Sequence, residues 1–176
     1  MTQVGSKLVT PIAAALCFSA DVASKQWARK TLTDSLNQQF IPGFIHFKLT
    51  ANTGAAFSLG RDNPFIMTAL AASLTLALIA WAVIRERKSE PQPTIDRVAM
   101  GCLLAGAMGN LFDRFMRGRV TDFLEFSFVS FPVFNLADVL IDTGIGLLII
   151  GSLIHKPNAK GSAPESDSSK GGAKGQ

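Results

Sequence analysis

The sequence predicts a membrane protein of the all-α class, with four transmembrane helices and a small strand system resting on one membrane surface. Three observations carry that expectation. Of 176 residues, 48% are hydrophobic and only 17% are charged; with glycine included the apolar share is roughly 57%, against about 45–50% in soluble domains. Four segments approach the roughly 20 apolar residues that a helix needs to cross the hydrocarbon of a bilayer. The few polar residues inside those segments gather near their ends.

The first span is residues 8–24, bracketed by Lys7 and Lys25 and carrying Asp21 near its far end. A cleavable secretory signal competes with a spanning helix here. Phe18 and Asp21 spoil the best small-x-small cleavage registers, and Leu16 before Cys17 is too bulky for a lipoprotein signal. In the connection 25–64, Ile45, Phe47 and Leu49 alternate with His46, Lys48 and Thr50, a period of two that predicts a strand. The second span, 65–84, contains no charge and ends against Arg85, Arg87 and Lys88, with Trp81 at the boundary. A short polar loop with Pro91 and Pro93 covers 85–94. The third span, 98–112, places Gly101, Ala105 and Gly109 on one face, and small residues at that spacing let helix backbones approach closely, which predicts a central helix. The Phe-dense stretch 120–131 is expected to join the strand system. The fourth span, 133–154, carries Asn135, Asp138 and Asp142. Residues 156–176 hold no aromatic or branched aliphatic side chain, so a disordered polar tail is expected after a single integral membrane domain at 1–155.

Net charge is +4, but the basic residues are scattered and form no basic helix or aromatic-interleaved patch, so no nucleic-acid partner is expected. Two cysteines, both in apolar runs, exclude a disulfide-stapled scaffold. With four spans both termini share a face. The termini and the 85–97 loop hold Lys7, Arg85, Arg87, Lys88, Arg97, Lys156, Lys160, Lys170 and Lys174, a slight excess over the two long connections that favours cytoplasmic termini.

The same topology brings Asp21, Asn110, Asp113, Asn135 and Asp138 to the opposite, extracytoplasmic face, with Asn52 and Asp122 in the loops there. A carboxylate within a spanning helix costs on the order of 3 kcal/mol to insert, so several at one depth point to a shared polar site. Asn110, Asp113 and Arg114 project from one helical face, as do Asn135 and Asp138. Asp142 shares the Asp138 face one turn deeper, where a protonated, hydrogen-bonded acid inside the bundle is expected.

This set of carboxylates, amides and an arginine narrows the chemistry. No His or Cys cluster offers a zinc site, His46 and His155 lie off the polar stripes, and adjacent Ser24 and Lys25 point in different directions. Gly144-x-Gly146 sits in a membrane span and reads as packing rather than a phosphate loop. What remains for hydrolysis is a pair of aspartates sharing one proton, at helix ends that water can reach. The residues alone leave Asp113 and Asp122 open as members of that pair. A proton- or cation-conducting bundle is the rival from another class, but the inner halves of the second and fourth spans are apolar and show no continuing relay. A divalent-metal site of a lipid head-group transferase at Asp138-x3-Asp142 would need more carboxylates.

Five motifs in series, Asp21-Val22-Ala23-Ser24-Lys25, Asn52-Thr53-Gly54-Ala55-Ala56-Phe57-Ser58, Gly109-Asn110-Leu111-Phe112-Asp113-Arg114, Val120-Thr121-Asp122-Phe123 and Phe134-Asn135-Leu136-Ala137-Asp138, resemble those of the lipoprotein signal peptidases (signal peptidase II). The resemblance covers about residues 8 to 154. It implies an intramembrane aspartyl endopeptidase, multi-pass in the bacterial plasma (inner) membrane, with an extracytoplasmic β-cradle and a small amphipathic helix beside the four spans. It implies a diacylglyceryl-modified prolipoprotein substrate cut just before its lipobox cysteine, membrane lipids as surroundings, inhibition by globomycin, and no metal or organic cofactor. By motif position Asp122 and Asp138 correspond to the catalytic pair. Asn52, Asn110, Arg114 and Asn135 match residues lining the substrate site, Asp21 matches a supporting residue, and Asp113 is counted with the supporting set. Val22 and Val139 depart from the family's usual residues, and Asp142 is an acid that the motifs do not explain.

Overall fold

The computed structural model describes residues 7–32, 38–54, 63–87 and 92–154. Along the chain these form α1 (Val9–Thr31), β1 (Gln38–Ile41), β2 (Ile45–Asn52), α2 (Pro64–Arg87), α3 (Thr94–Arg117), β3 (Val120–Phe126) and α4 (Leu136–Ile154). The structure is mostly helical with one small sheet. Three helices, α2, α3 and α4, are long and apolar enough to cross a membrane. α2 is the most lipid-like, with only Thr75 and Ala82 buried and a run of exposed Leu and Ile side chains. α1 carries Asp21, Lys25, Arg29 and Lys30 in its second half.

The helix bounds differ from the hydropathy spans, and the reason is pairing of charge. α1 runs through Thr31 rather than stopping at Ser24, because Lys25 forms an ion pair at 2.9 Å with Asp21 one turn back and both are buried. A charge that marks a span end in one dimension is here neutralised inside the bundle. α2 continues to Arg87, into the stretch expected as loop. α3 is longer than 98–112 at both ends. It begins directly after Pro93, whose extended backbone suits a helix entry, and there Arg97 pairs with Glu86 of α2 at 2.7 Å. It ends at Gly118, left-handed at φ 70°, whose N–H donates to the Arg114 carbonyl at 2.8 Å. α4 starts at Leu136, not residue 133: Pro132 has no N–H to give, and Phe134 instead exchanges backbone hydrogen bonds with Leu124 at 2.9 Å in each direction.

α3 is the central helix, packed most extensively on α1 and α4 and less on α2. Its small residues set the approach: a Cβ at Gly101 would meet Ala13 of α1 at 2.6 Å, one at Gly106 would overlap the Ala137 carbonyl of α4, and one at Gly109 would overlap the Asp21 carboxylate. The three strands lie in the order β1-β2-β3, antiparallel throughout. β1 was not expected from the sequence pattern. It turns into β2 at Pro42-Gly43, with Gly43 at φ 72° and Phe44 N–H donating to the Ile41 carbonyl at 2.9 Å. β3 takes up only the first part of the Phe-dense stretch, ending at Phe126. The sheet is fastened to the bundle by a small core of Ala28, Leu32 and Phe123 backed by Phe47, Leu49 and Leu124, with Trp27 edge-on to Phe47 at 5.0 Å. No fifth helix occurs among the described residues. Residues 55–62, His155 and the polar tail lie outside the described residues.

Candidate active site

The start of α4 builds the first half of the site. Asn135 immediately precedes the helix, and its Oδ1 accepts from the Asp138 backbone N–H at 3.2 Å. In return Asp138 Oδ2 accepts from the Asn135 backbone N–H at 3.1 Å. This reciprocal exchange is a capping box written with amide and carboxylate, and it fixes the Asp138 side chain at the helix end. The other oxygen of Asp138 accepts from Asn110 Nδ2 of α3 at 2.8 Å.

β3 supplies the second half. Asp122 is buried, with Oδ1 accepting from Asn135 Nδ2 at 2.6 Å and Oδ2 accepting from Asn52 Nδ2 of β2 at 3.0 Å. Asn135 therefore touches both carboxylates, through its side-chain amide to Asp122 and through its backbone to Asp138. Burial pushes the Asp122 carboxyl up to about 6; the amide donors of Asn135 and Asn52 hold it down, the Asp138 charge adds to the rise, and Lys25 opposes it.

Beneath the pair lies a cation that sequence reasoning missed. Lys25 is 1% exposed, and its Nζ donates to Asn110 Oδ1 at 2.9 Å while pairing with Asp21. Asn135 Nδ2 reaches the same Asn110 oxygen at 3.2 Å, so the Asn110 amide is oriented with its nitrogen toward Asp138. The Asp-x3-Lys spacing inside an apolar helix was the available signal for Lys25. The Asn-x-x-Asp spacing before an apolar run was the signal for the capping box.

Asn52, Asn110, Arg114, Asp122 and Asp138 line one cavity of about 440 Å³, whose apolar lining includes Phe126, Phe131, Pro132, Val133, Phe134 and Val139. Arg114 donates from Nη2 to the carbonyl of Gly54, a lining residue two positions beyond β2, at 3.0 Å. Asn135 and Asp21 are fully buried and do not themselves line the cavity. Asp113, the other acid in contention, does not line the cavity. Its oxygens are taken by Arg29 at 3.3 Å, Arg117 at 3.3 Å and the Thr121 backbone N–H at 2.9 Å, so it ties α3 to α1 and to the start of β3. Asp142 corrects another expectation. It is exposed along the deeper part of the cavity with Thr143, rather than hydrogen-bonded inside the bundle. Among the described residues no three His, Cys, Asp or Glu side chains form a metal-sized group.

Comparison with known proteins gives this arrangement its context. The family described as signal peptidase (SPase) II matches residues 13–154. The chain is 40% identical over 139 residues to the lipoprotein signal peptidase of Thermosynechococcus vestitus, covering 77% of this chain and 85% of the relative. It is 39% identical over 153 residues to the lipoprotein signal peptidase of Nostoc punctiforme, covering 85% and 92%. Its fold is similar to that of a bacterial membrane enzyme solved by the in meso method at 2.3 Å resolution, with a TM-score of 0.73 and 26% identity over 87% of this chain and 92% of that one. A match that runs from α1 to α4, and takes in both halves of the cavity, places this chain in the signal peptidase II family of membrane proteases.

Proposed function

We propose that this chain removes signal peptides from lipoproteins as an aspartyl endopeptidase, cutting a diacylglyceryl-modified prolipoprotein just before its modified cysteine. Four spans with cytoplasmic termini in the bacterial plasma membrane would put the cavity near the extracytoplasmic face, at the depth where a signal peptide ends. One observation carries the reading: two carboxylates from different elements, Asp122 and Asp138, face one cavity and are both held by Asn135.

In this mechanism the pair shares one proton. Asp122 holds it, since burial disfavours its charge. Asp138 is the partner carboxylate, held at the start of α4 by the Asn135 backbone N–H and the Asn110 amide. Asp138 takes a proton from water as the water oxygen attacks the scissile carbonyl carbon, and Asp122 gives its proton to the carbonyl oxygen, leaving a gem-diol. Asp138 then passes its proton to the departing amide nitrogen while Asp122 recovers one from the diol, so the C–N bond breaks and the pair returns to its starting state. Asn52 and Asn110 orient the two carboxylates, and Arg114 secures the Gly54 backbone at the same cavity.

The test is cleavage of a lipid-modified prolipoprotein by the detergent-purified protein and by Asp122→Asn and Asp138→Asn. General acid–base catalysis is worth about 10²–10⁴-fold, and each substitution is expected to remove at least that much with the fold intact. Globomycin is expected to block the unmodified protein. Near-normal cleavage by either variant refutes the pair.

A further inference from the structure

We propose that Asp142 is a specificity-determining residue, whose carboxylate accepts a hydrogen bond from a hydroxyl on the second residue before the cut bond. The inference rests on the peptidase reading above. Asp142 follows Asp138 by four residues, so it projects from the same helical face about one turn, roughly 6 Å, further along α4. It lines the cavity and is exposed to it. Asp21, Asp113, Asp122 and Asp138 all have partners, whereas Asp142 makes no side-chain hydrogen bond among the described residues. A carboxylate at membrane depth persists where it meets water or a donor, so its free acceptor is directed at whatever fills the cavity.

What fills it there follows from direction. The signal segment precedes the cut bond and runs inward across the membrane, along the part of the cavity that Asp142 lines. An extended peptide advances about 3.3 Å per residue. With the scissile carbonyl at Asp138, the second residue before the bond brings its Cα to within about 5 Å of that carbonyl, level with Asp142. Beside it on α4 the cavity is lined by Val139 and the neutral Thr143, so Asp142 is the one lining carboxylate outside the catalytic pair and the point of charged discrimination. A charged donor would be costly within the substrate's own span, and of the neutral donors Ser and Thr carry a single hydroxyl on a short side chain and so cost least to place there. Because the carboxylate is exposed, water replaces a missing hydroxyl, and the preference is modest, about tenfold.

Two diacylglyceryl-modified prolipoproteins that differ only by Ser or Ala at that position, cut by the unmodified protein, Asp142→Asn and Asp142→Leu, test the proposal. The expected Ser/Ala ratio of kcat/KM is about ten for the unmodified protein, intermediate for Asp142→Asn, which keeps a neutral acceptor, and near one for Asp142→Leu. The same ratio in all three proteins overturns the proposal. So does loss of both substrates in both variants, which would make Asp142 part of the chemistry. Failure of the unmodified protein to cut either substrate overturns the peptidase reading itself.

Discussion

Replacing Asp122 by Asn is expected to do opposite things to activity and to stability at neutral pH. The Asp122 carboxyl is raised from 3.8 to about 6, chiefly by burial. A raised carboxyl stabilises the fold fully below pH 3.8, where it is protonated whether folded or not, and that stability is lost as pH rises through 6. A shift of about two pH units is worth about 3 kcal/mol. The Asn variant has no such loss. It also cannot satisfy two amide donors as the carboxylate does: Asn135 and Asn52 both point N–H groups at this side chain. One of those contacts becomes donor against donor, a cost of about 1–3 kcal/mol that does not depend on pH. The two effects separate in a pair of unfolding series on the purified proteins at pH 3 and pH 8. The difference between variant and unmodified protein is expected to move by about 3 kcal/mol in favour of the variant over that range, or roughly 6–12 °C in relative Tm for a chain this size. Cleavage activity stays absent throughout. A stability difference that is the same at both pH values would refute the buried, proton-holding role of Asp122.

The same ionisation predicts that kcat/KM of the unmodified protein falls about tenfold per pH unit above about 6, as the shared proton is lost; a profile flat to pH 9 would exclude it. Asn135→Ala removes the helix cap and the link between the carboxylates, so a loss of about 1 kcal/mol in stability should accompany a loss of activity of at least 100-fold, measured on one preparation. Lys25→Met leaves Asp21 buried without its cation and is expected to cost about 3–5 kcal/mol, whereas Lys25→Met combined with Asp21→Asn should recover much of it; equal loss in the single and double variants would show that the pair is not the cause.

The parts legible in the sequence were those decided locally. α2 was visible because 20 uncharged residues end against a basic cluster, and β2 because apolar and polar side chains alternate. The end of α1 was not visible, since hydropathy cannot tell a solvated Lys25 from one paired with Asp21 and hydrogen-bonded to Asn110. β1 reads Gln38-Gln39-Phe40-Ile41 and has no alternation of its own; its pairing with β2 defines it. Asp113 and Asp122 look alike at nine residues' separation. They are told apart by neighbours: arginines and a backbone N–H close around one, while the other faces the cavity. The resemblance to the lipoprotein signal peptidases chose Asp122 where residue types could not. Asp142 was misread for a related reason, because a helical wheel gives a face but not what that face meets.

The two carboxylates reach their places by different routes. Asp138 is oriented by residues three positions away, as soon as the first turn of α4 forms. Asp122 is held by Asn52, 70 residues earlier in the chain, and only after β2 and β3 have paired outside the helices. On the proposed mechanism, a chain whose helices have formed but whose sheet has not closed holds one carboxylate in place and lacks the other. The proposed two-carboxylate site is therefore complete only where β2 and β3 are paired, whatever the helices have done.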